Sequence, residues 1–133
     1  MPLVLLEKDA RGVATVTLNR PERGNAYDEE LLSKLIAGLQ GLAVDEAVRA
    51  VVLRGAGKHF QAGADIEWLG RAATYSPERN YAAAMGSVRA MKLLNEFPRP
   101  VIAVVHGGCF GGGCGMVCCA DVALADEREA CLD

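Results

Sequence analysis

The sequence predicts a single α/β domain built around a mainly parallel sheet. Apolar residues make up 51% of the 133 residues and charged residues 23%, a balance typical of a folded domain with its own core. Two short, unbroken apolar runs, RAVVL at 49–53 and VIAVV at 101–105, have the character of strands buried on both faces. Segments with helical patterning separate the apolar runs, and strands joined through helices pair in parallel.

The N-terminal part predicts a hairpin followed by a helix. Residues 3–9 and 13–18 flank a turn at 10–12, and VATVTL alternates as a half-buried strand does. The stretch NRPERGNAYD is rich in turn formers and has no periodicity, which predicts a loop. Asp28 can cap a helix that runs to about Ala43, because two acidic residues occupy its first turn and leucines recur on one face.

The remaining elements continue this alternation. A loop rich in small residues covers 55–65, and Ser76, followed by a proline and an acid, is a typical start for a helix that ends before Pro98. Strand 101–105 precedes the glycine-rich stretch HGGCFGGGCGMVCC, and DVALA at 121–125 is a further strand. The predicted order is β-β-α-β-loop-α-β-α-β, with both faces of the sheet expected to be covered.

Charge and hydropathy exclude several classes of partner. The 14 basic and 17 acidic side chains leave a net charge of -3, so neither a nucleic acid nor a membrane is an expected partner. The apolar run at 3–6 is broken at once by Glu7, so it is no signal-peptide core. No stretch reaches the roughly 18 apolar residues of a membrane-spanning helix. We therefore expect a soluble, cytoplasmic protein.

The cysteines are crowded into the last quarter of the chain. There are five, at 109, 114, 118, 119 and 131, and this odd, clustered set favours free thiols over a disulfide framework. Cys114 and Cys118 have helical i, i+4 spacing, which leaves a zinc site as an alternative, although no second Cys or His pair has finger-like spacing. The favoured interpretation is small residues packing a tight interior, with no metal and no cofactor.

Two loops follow the predicted parallel strands at their carboxyl ends, where ligands bind in such sheets. Loops 55–65 and 107–113 lack the phosphate-binding patterns GxxxxGK[ST] and GxGxxG. Both lead into a helix through small residues, and amides at a helix start have no intrahelical partner. Two such amides that converge would form an oxyanion hole for a carbonyl gaining negative charge. Alternatively, the small residues only allow close packing of helix and strand.

Four motifs, in their order and spacing, resemble the crotonase superfamily of enoyl-CoA hydratases and isomerases. They are LNRPERGNA at 18–26, GKHFQAGADIEWL at 57–69, RPVIAVVHGGCFGGGCG at 99–115 and CCADVALAD at 118–126. The resemblance covers nearly the whole chain and implies a crotonase-like ββα spiral with a mainly parallel sheet. It implies that residues 1–133 are the N-terminal part of a single acyl-CoA-binding domain, without the family's C-terminal half and trimerisation helices.

The resemblance also implies roles for individual residues. Ala64 and Gly112 match the positions whose backbone amides form the family's oxyanion hole around a thioester carbonyl. Arg23 matches a contact to the phosphate side of CoA, with a solvated loop arginine as the alternative, and Trp68 is expected to form a channel wall. The implied substrate and CoA contacts are Arg23, Ala26, Ala62, Ala64, Asp65, Ile66 and Gly112.

The chain departs from the family pattern at the acid/base residues. Gly115 occupies the position of one catalytic glutamate, and the segment of the other corresponds to ACLD at 130–133, where the sequence ends. Glycine at 115 is similar to a subgroup that includes 3-methylglutaconyl-CoA hydratase. Asp65, Asp121 and His106 are candidate substitutes for the glutamates, but a structural role is expected for each.

The resemblance leaves three functions open. The first is hydration of a 2-enoyl-CoA, of a branched type such as 3-methylglutaconyl-CoA, and the second is another crotonase reaction: isomerisation, decarboxylation or thioester hydrolysis. The third is an inactive module that binds CoA or associates with other chains. Expected partners are an acyl-CoA substrate and further copies of the protein, because complete family members form trimers or hexamers. Uncovered apolar faces of the sheet and of helix 77–97 add an expectation of self-association.

Overall fold

Five strands form the main sheet of the computed structural model, which describes residues 1–127 and 130–132. Along the chain they are β1 (Val4–Lys8), β2 (Val13–Leu18), β3 (Ala50–Gly55), β4 (Val101–Val105) and β6 (Val122–Ala125), and this is also their order in the sheet. β1 runs antiparallel to β2, and each following pair is parallel. A second, two-stranded sheet pairs β5 (Gly108–Cys109) with β7 (Cys131–Leu132) in parallel.

Four α-helices and one short 3-10 helix connect the described strands. The 3-10 helix covers Pro21–Arg23, and the α-helices are α1 (Glu29–Ala43), α2 (Ile66–Ala72), α3 (Pro77–Asn95) and α4 (Gly112–Cys119). In the part of the chain that the structure describes, none of these helices has both the length and the apolar character needed to span a membrane.

The two long helices begin at the predicted caps. Asp28 accepts a hydrogen bond from Leu31 N at 2.9 Å at the start of α1, and Ser76 Oγ accepts one from Arg79 N at 3.1 Å at the start of α3. Each cap satisfies an amide that has no partner within its helix. The predicted helices are therefore confirmed, with α3 ending at Asn95, before the predicted stop at Pro98.

One hydrophobic cluster joins the central strands to α1 and α3. It includes Val16 and Leu18 of β2, Val51 and Leu53 of β3, Val101 and Ala103 of β4, Leu31, Leu32, Leu35 and Leu39 of α1, and Ala83, Ala90 and Leu94 of α3. Because β3 and β4 are parallel neighbours in this packed sheet, the loops after them leave from the same edge. The α/β fold with a mainly parallel sheet is as predicted.

Two features differ from the prediction. The expectation that both faces of the sheet are covered is wrong at β6, where Val122 is 49% and Leu124 57% exposed. Among the described strands β6 pairs with β4 alone, and its four residues are all exposed, as the expectation of uncovered apolar sheet faces implied. The strands β5 and β7 were not predicted, because a two-residue pairing leaves no periodic pattern in the sequence. Asp133, the last residue of the ACLD segment, lies outside the described residues.

Candidate active site

The two loops singled out in the sequence lie side by side. Phe60 N donates a hydrogen bond to Gly108 O at 3.0 Å, and Phe110 N donates one to Gln61 O at 2.9 Å. Gln61 and Cys109 also form a parallel β-bridge. These backbone contacts hold the segment before Ala64 directly against the segment before Gly112, so the two loops lie together.

Tyr27 holds the segment that carries Ala64. Tyr27 N donates to Gly63 O at 2.9 Å, and Asp65 N donates to Tyr27 O at 2.8 Å, so the backbone of Tyr27 brackets Ala64 in a parallel bridge. In such a bridge the bracketed residue directs its own amide away from the partner. The amide of Ala64 accordingly donates no hydrogen bond to any atom of residues 1–127 or 130–132.

Gly112 lies next to this segment as the first residue of α4. Gly63 has a φ of 91°, and a Cβ built on it would stand 2.9 Å from Phe110 O and 3.6 Å from Gly112 N. Only glycine allows this close approach. The amide of Gly112, like that of Ala64, has no acceptor among the described residues, as expected at a helix start. Two free backbone donors therefore lie in adjoining segments.

A cavity of about 180 Å³ opens beside Ala64. Every residue predicted as a CoA or substrate contact lines it except Gly112, and Glu67 completes the lining, which comprises Arg23, Ala26, Ala62, Ala64, Asp65, Ile66 and Glu67. Ile66 is 83% exposed, so an apolar side chain stands at the mouth of the cavity. The structure thus brings the 23–26 loop and the 62–66 segment together as the wall of one site.

Arg23 is paired with an acidic residue of this wall. Its Nη1 lies 3.0 Å from Glu67 Oε1, and both side chains are largely exposed to solvent. The hydrogen bond to Glu67 and the charge of that carboxylate raise the pKa of the Arg23 guanidinium. An exposed pair of this kind contributes little to stability, so Arg23 remains free to exchange Glu67 for a stronger anion.

Asp65 has a structural role, as the sequence analysis expected. Asp65 Oδ1 accepts hydrogen bonds from Glu67 N at 2.8 Å and Trp68 N at 3.2 Å, which caps α2. Asp65 Oδ2 lies 2.7 Å from Nη1 of Arg20. Desolvation by burial raises the pKa of Asp65, but the hydrogen bonds from Trp68 N, Arg20 and Glu67 N outweigh it, and the net pKa is lowered. The carboxylate is thereby kept ionised and engaged.

The aromatic rings of Tyr27 and Trp68 pack together beside the segments that carry the two free amides. The ring of Tyr27 meets that of Trp68 edge to face, with centroids 6.2 Å apart and an interplanar angle of 61°. Trp68 is only 5% exposed and lies behind Tyr27 rather than in the lining of the cavity, where a channel wall was expected. Its Nε1 donates to Glu29 Oε1 at 3.4 Å, and Glu29 is held by both terminal nitrogens of Arg79, at 2.8 and 2.7 Å.

Of the considered substitutes for a catalytic glutamate, Asp65 lines this cavity, but its carboxylate is already engaged by Arg20 and by the start of α2. Gly115 lies within α4 and carries no proton-transfer group; among the described residues outside the helix backbone, a Cβ there would meet Cε and Sδ of Met91, at 3.4 and 3.6 Å. Asp121 accepts a hydrogen bond from Val101 N at 2.7 Å, and His106 Nε2 lies 2.6 Å from Gly57 O. Both are therefore structural groups at strand ends, as expected.

None of the five cysteines forms a disulfide within the described residues. Cys114 Sγ donates to Cys109 O at 3.1 Å and lies 3.9 Å from Cys109 Sγ. Burial, together with the neighbouring thiols, raises the pKa of Cys109 to about 12, so this thiol stays protonated. No group of three potential metal ligands occurs in the described part of the chain. Packing of the helix start is the role that these contacts support.

Three residues of the site escaped the sequence analysis. Arg20 neutralises Asp65, Glu67 pairs with Arg23, and the side chain of Tyr27 lies against Gly112. All three contacts join residues far apart in sequence, so periodicity and spacing give no signal for them. The only available signal was the clustering of charged residues in LNRPER and ADIE, two segments already placed in one loop region by the motifs.

The chain matches a protein-family model and curated proteins over most of its length. The family model described as "Enoyl-CoA hydratase/isomerase" matches residues 8–131. A hydroxycinnamoyl-CoA hydratase-lyase of Pseudomonas fluorescens is 39% identical over 119 residues, which cover 87% of this chain and 43% of the relative. The chain thus spans about half or less of the length of the relatives it matches.

Solved structures of enoyl-CoA hydratases share the fold. The structure from Mycobacterium smegmatis has a TM-score of 0.91 and 41% identity, and the match covers 99% of this chain and 50% of the other. The structure from Shewanella pealeana has a TM-score of 0.92 and 37% identity, with 98% and 49% of the two chains covered. The family model, the shared fold and the order of the motifs lead to one conclusion: the chain belongs to the enoyl-CoA hydratase/isomerase family of the crotonase superfamily.

Proposed function

We propose that this chain binds an acyl-CoA thioester and holds its carbonyl oxygen between the backbone amides of Ala64 and Gly112. The observation that carries the proposal is that these two amides lie in adjoining segments and neither has an acceptor among the described residues. Donors already in place stabilise the negative charge that the oxygen gains when an enolate forms. Each donor of such a pair lowers the barrier by about 3 kcal/mol.

The cavity next to Ala64 is proposed to receive the CoA part of the ligand. Arg23 supplies a cation for a phosphate group, since a phosphate is a stronger partner than the exposed carboxylate of Glu67. Ile66 offers an apolar surface at the mouth of the cavity. Two alanines, Ala26 and Ala62, leave room between them for the ligand to approach the backbone.

The proposed reaction of the parent enzyme is addition of water to a 2-enoyl-CoA, which is lyase chemistry. Glycine at 115 favours a branched substrate of the 3-methylglutaconyl-CoA type, and in this proposal the proton transfers fall to a carboxylate other than the one that position 115 lacks. No cofactor is needed, because the thioester itself stabilises the enolate. A cytoplasmic homotrimer or hexamer remains our prediction for the complete protein.

Gly115 also favours a second candidate, a module that binds acyl-CoA without turning it over. The two amides proposed as oxyanion donors and the cavity lie in the described part of the chain, whereas position 115 carries no acid/base group. Isomerase, decarboxylase or thioester hydrolase activity of the parent protein would use the same two amides with different acid/base groups.

Calorimetric titration of the 133-residue chain with crotonyl-CoA and with free CoA, followed by assay of water addition, tests the proposal. Binding of crotonyl-CoA more tightly than CoA is expected, and turnover would distinguish an active hydratase from the binding module. Gly112→Ala should lose the preference for the thioester, while Gly41→Ala, an exposed position with no atom within 4 Å of the added methyl, should retain it. Equal affinities of the unsubstituted chain for both ligands, or no binding, would refute the proposal.

A further inference from the structure

The hydroxyl group of Tyr27 lies against the α-carbon of Gly112. A Cβ built on Gly112 would overlap Tyr27 Oη and would stand 2.5 Å from Cε1 and 2.8 Å from Cζ. The end of the tyrosine ring therefore occupies the space that any other residue at position 112 would fill. The absence of a side chain at position 112 therefore makes room for the Tyr27 ring at the start of α4.

The Tyr27 hydroxyl is available as a hydrogen-bond donor. Tyr27 Oη forms no hydrogen bond with residues 1–127 or 130–132, yet it is not among the fully enclosed polar atoms without a partner. It therefore opens onto space that a ligand atom or water can enter. Burial of the ring raises the pKa of Tyr27 above its ordinary value of 10.0, so the hydroxyl keeps its proton at physiological pH.

The position of Tyr27 is fixed relative to both proposed oxyanion donors. Its backbone is hydrogen-bonded on both sides of Ala64, at 2.9 and 2.8 Å, while its side chain reaches Gly112. The ring is 8% exposed and rests on Trp68, which leaves it little freedom to turn. One residue thus spans the gap between the two amides and ends in a donor.

The geometry points to Tyr27 Oη as a third hydrogen-bond donor to the thioester carbonyl oxygen, beside the amides of Ala64 and Gly112. This inference rests on the proposed acyl-CoA binding and assigns a side chain to a site otherwise made of backbone. A third neutral donor polarises the carbonyl further without adding charge to the empty site. Its effect is confined to ligands that carry a carbonyl oxygen, so the contribution of Tyr27 to binding of free CoA is nil.

Tyr27→Phe tests the inference, because it removes the hydroxyl and keeps the ring, the contact with Trp68 and the backbone bridge. Butyryl-CoA with a carbon-13 carbonyl serves as an unreactive probe, and infrared difference spectra report the carbonyl stretch. The unsubstituted chain should lower the stretching frequency of bound butyryl-CoA. Tyr27→Phe should lose part of that shift and bind butyryl-CoA about fivefold more weakly, as expected for one lost hydrogen bond, with free CoA unaffected.

Tyr81→Phe is the matched control, since Tyr81 is 69% exposed on α3 and should leave both quantities unchanged. Equal carbonyl shifts in Tyr27→Phe and the unsubstituted chain would overturn the role of Tyr27 and leave the proposed function standing. A parallel loss of affinity for butyryl-CoA and CoA would also overturn it, as the mark of a structural effect. No carbonyl shift in the unsubstituted chain would overturn both this inference and the proposed function.

A measurement on the unsubstituted chain covers the case in which Tyr27→Phe is poorly folded. Tyrosine labelled with carbon-13 at Cζ gives one NMR signal for each of the three tyrosines. The Tyr27 signal should move on addition of butyryl-CoA and stay in place with free CoA. A Tyr27 signal that responds equally to the two ligands would refute the hydrogen bond.

Discussion

Nη1 of Arg20 lies 2.7 Å from Oδ2 of Asp65, and the same nitrogen donates to Ala26 O at 2.9 Å. Arg20 is thus the link between the two walls of the candidate CoA cavity, one containing Ala26 and the other Ala64 and Asp65. Asp65 is 5% exposed, and its other oxygen caps α2. The shape of the cavity therefore depends on a nearly buried ion pair whose aspartate also belongs to the lining.

Asp65→Asn should destabilise the chain by about 2–3 kcal/mol, because it leaves the mostly buried guanidinium of Arg20 with only the more distant carboxylate of Asp28, at 3.7 Å, as a counter-charge. Urea unfolding followed by circular dichroism measures this change. Glu46→Gln removes a carboxylate from an exposed position and serves as the control, with an expected effect within about 0.5 kcal/mol. Equal midpoints for Asp65→Asn and the unsubstituted chain would show that the ion pair has no such role.

Acid should unfold the chain through the same carboxylate. The pKa of Asp65 is lowered in the folded state, so its contribution to stability is complete above the unfolded pKa of about 3.9 and is lost as pH falls through the lower folded value. The lowered pKa of Glu29, caused first by its hydrogen bond with Arg79, acts in the same direction. Free energies of unfolding measured from about pH 6 down to about pH 3 should fall, and less steeply for Asp65→Asn. Identical slopes would contradict the assignment to Asp65.

Two neighbouring glycines of α4 should respond oppositely to alanine. At Gly115 the new methyl meets only the flexible end of Met91, so Gly115→Ala should raise stability by about 0.5–1 kcal/mol through helix propensity. At Gly112 it overlaps the ring of Tyr27, which is held in place, and Gly112→Ala should cost about 1–3 kcal/mol. Denaturation midpoints of the two variants check both signs, and a stabilising Gly112→Ala would disprove the reported contact.

The five thiols should differ in reactivity. Cys118 and Cys131 are exposed, whereas Cys109 is buried with a pKa raised to about 12 by desolvation and neighbouring thiols. Because the thiolate is the reactive form, iodoacetamide near pH 8 should label the exposed pair first and Cys109 only after denaturation. Peptide mapping by mass spectrometry gives the order, and labelling of native Cys109 at the rate of Cys118 would contradict its placement.

Much of the fold could be predicted because its signals are local. Strands β3 and β4 each contain a continuous apolar run, and the caps Asp28 and Ser76 stand directly before the helices they begin. Exposure of β6 was expected from the resemblance to longer family members and not from VALA itself, because an apolar strand has the same sequence pattern whether or not another element packs on it. Burial of such a strand is decided by tertiary contacts, not by its own composition.

The candidate site was predictable at the level of backbone positions and less so for side chains. Ala64 and Gly112 followed from motif matching, and the structure places their segments together. Arg23 and Glu67 are 44 positions apart, and nothing in the sequence indicates that the two side chains form a pair. Tyr27 belongs to the segment NAYD at 25–28. The contact of its side chain with Gly112 depends on the backbone bridge to Ala64, which forms only in the folded chain.

The most direct test of the proposed thioester site is amide NMR of the chain labelled with nitrogen-15 and titrated with butyryl-CoA or with free CoA. The amide protons of Ala64 and Gly112 should move downfield with butyryl-CoA, as they gain an acceptor, and should move far less with CoA. Resonances of both amides that stay in place at saturating butyryl-CoA, or that respond equally to the two ligands, would contradict a thioester oxygen held between them.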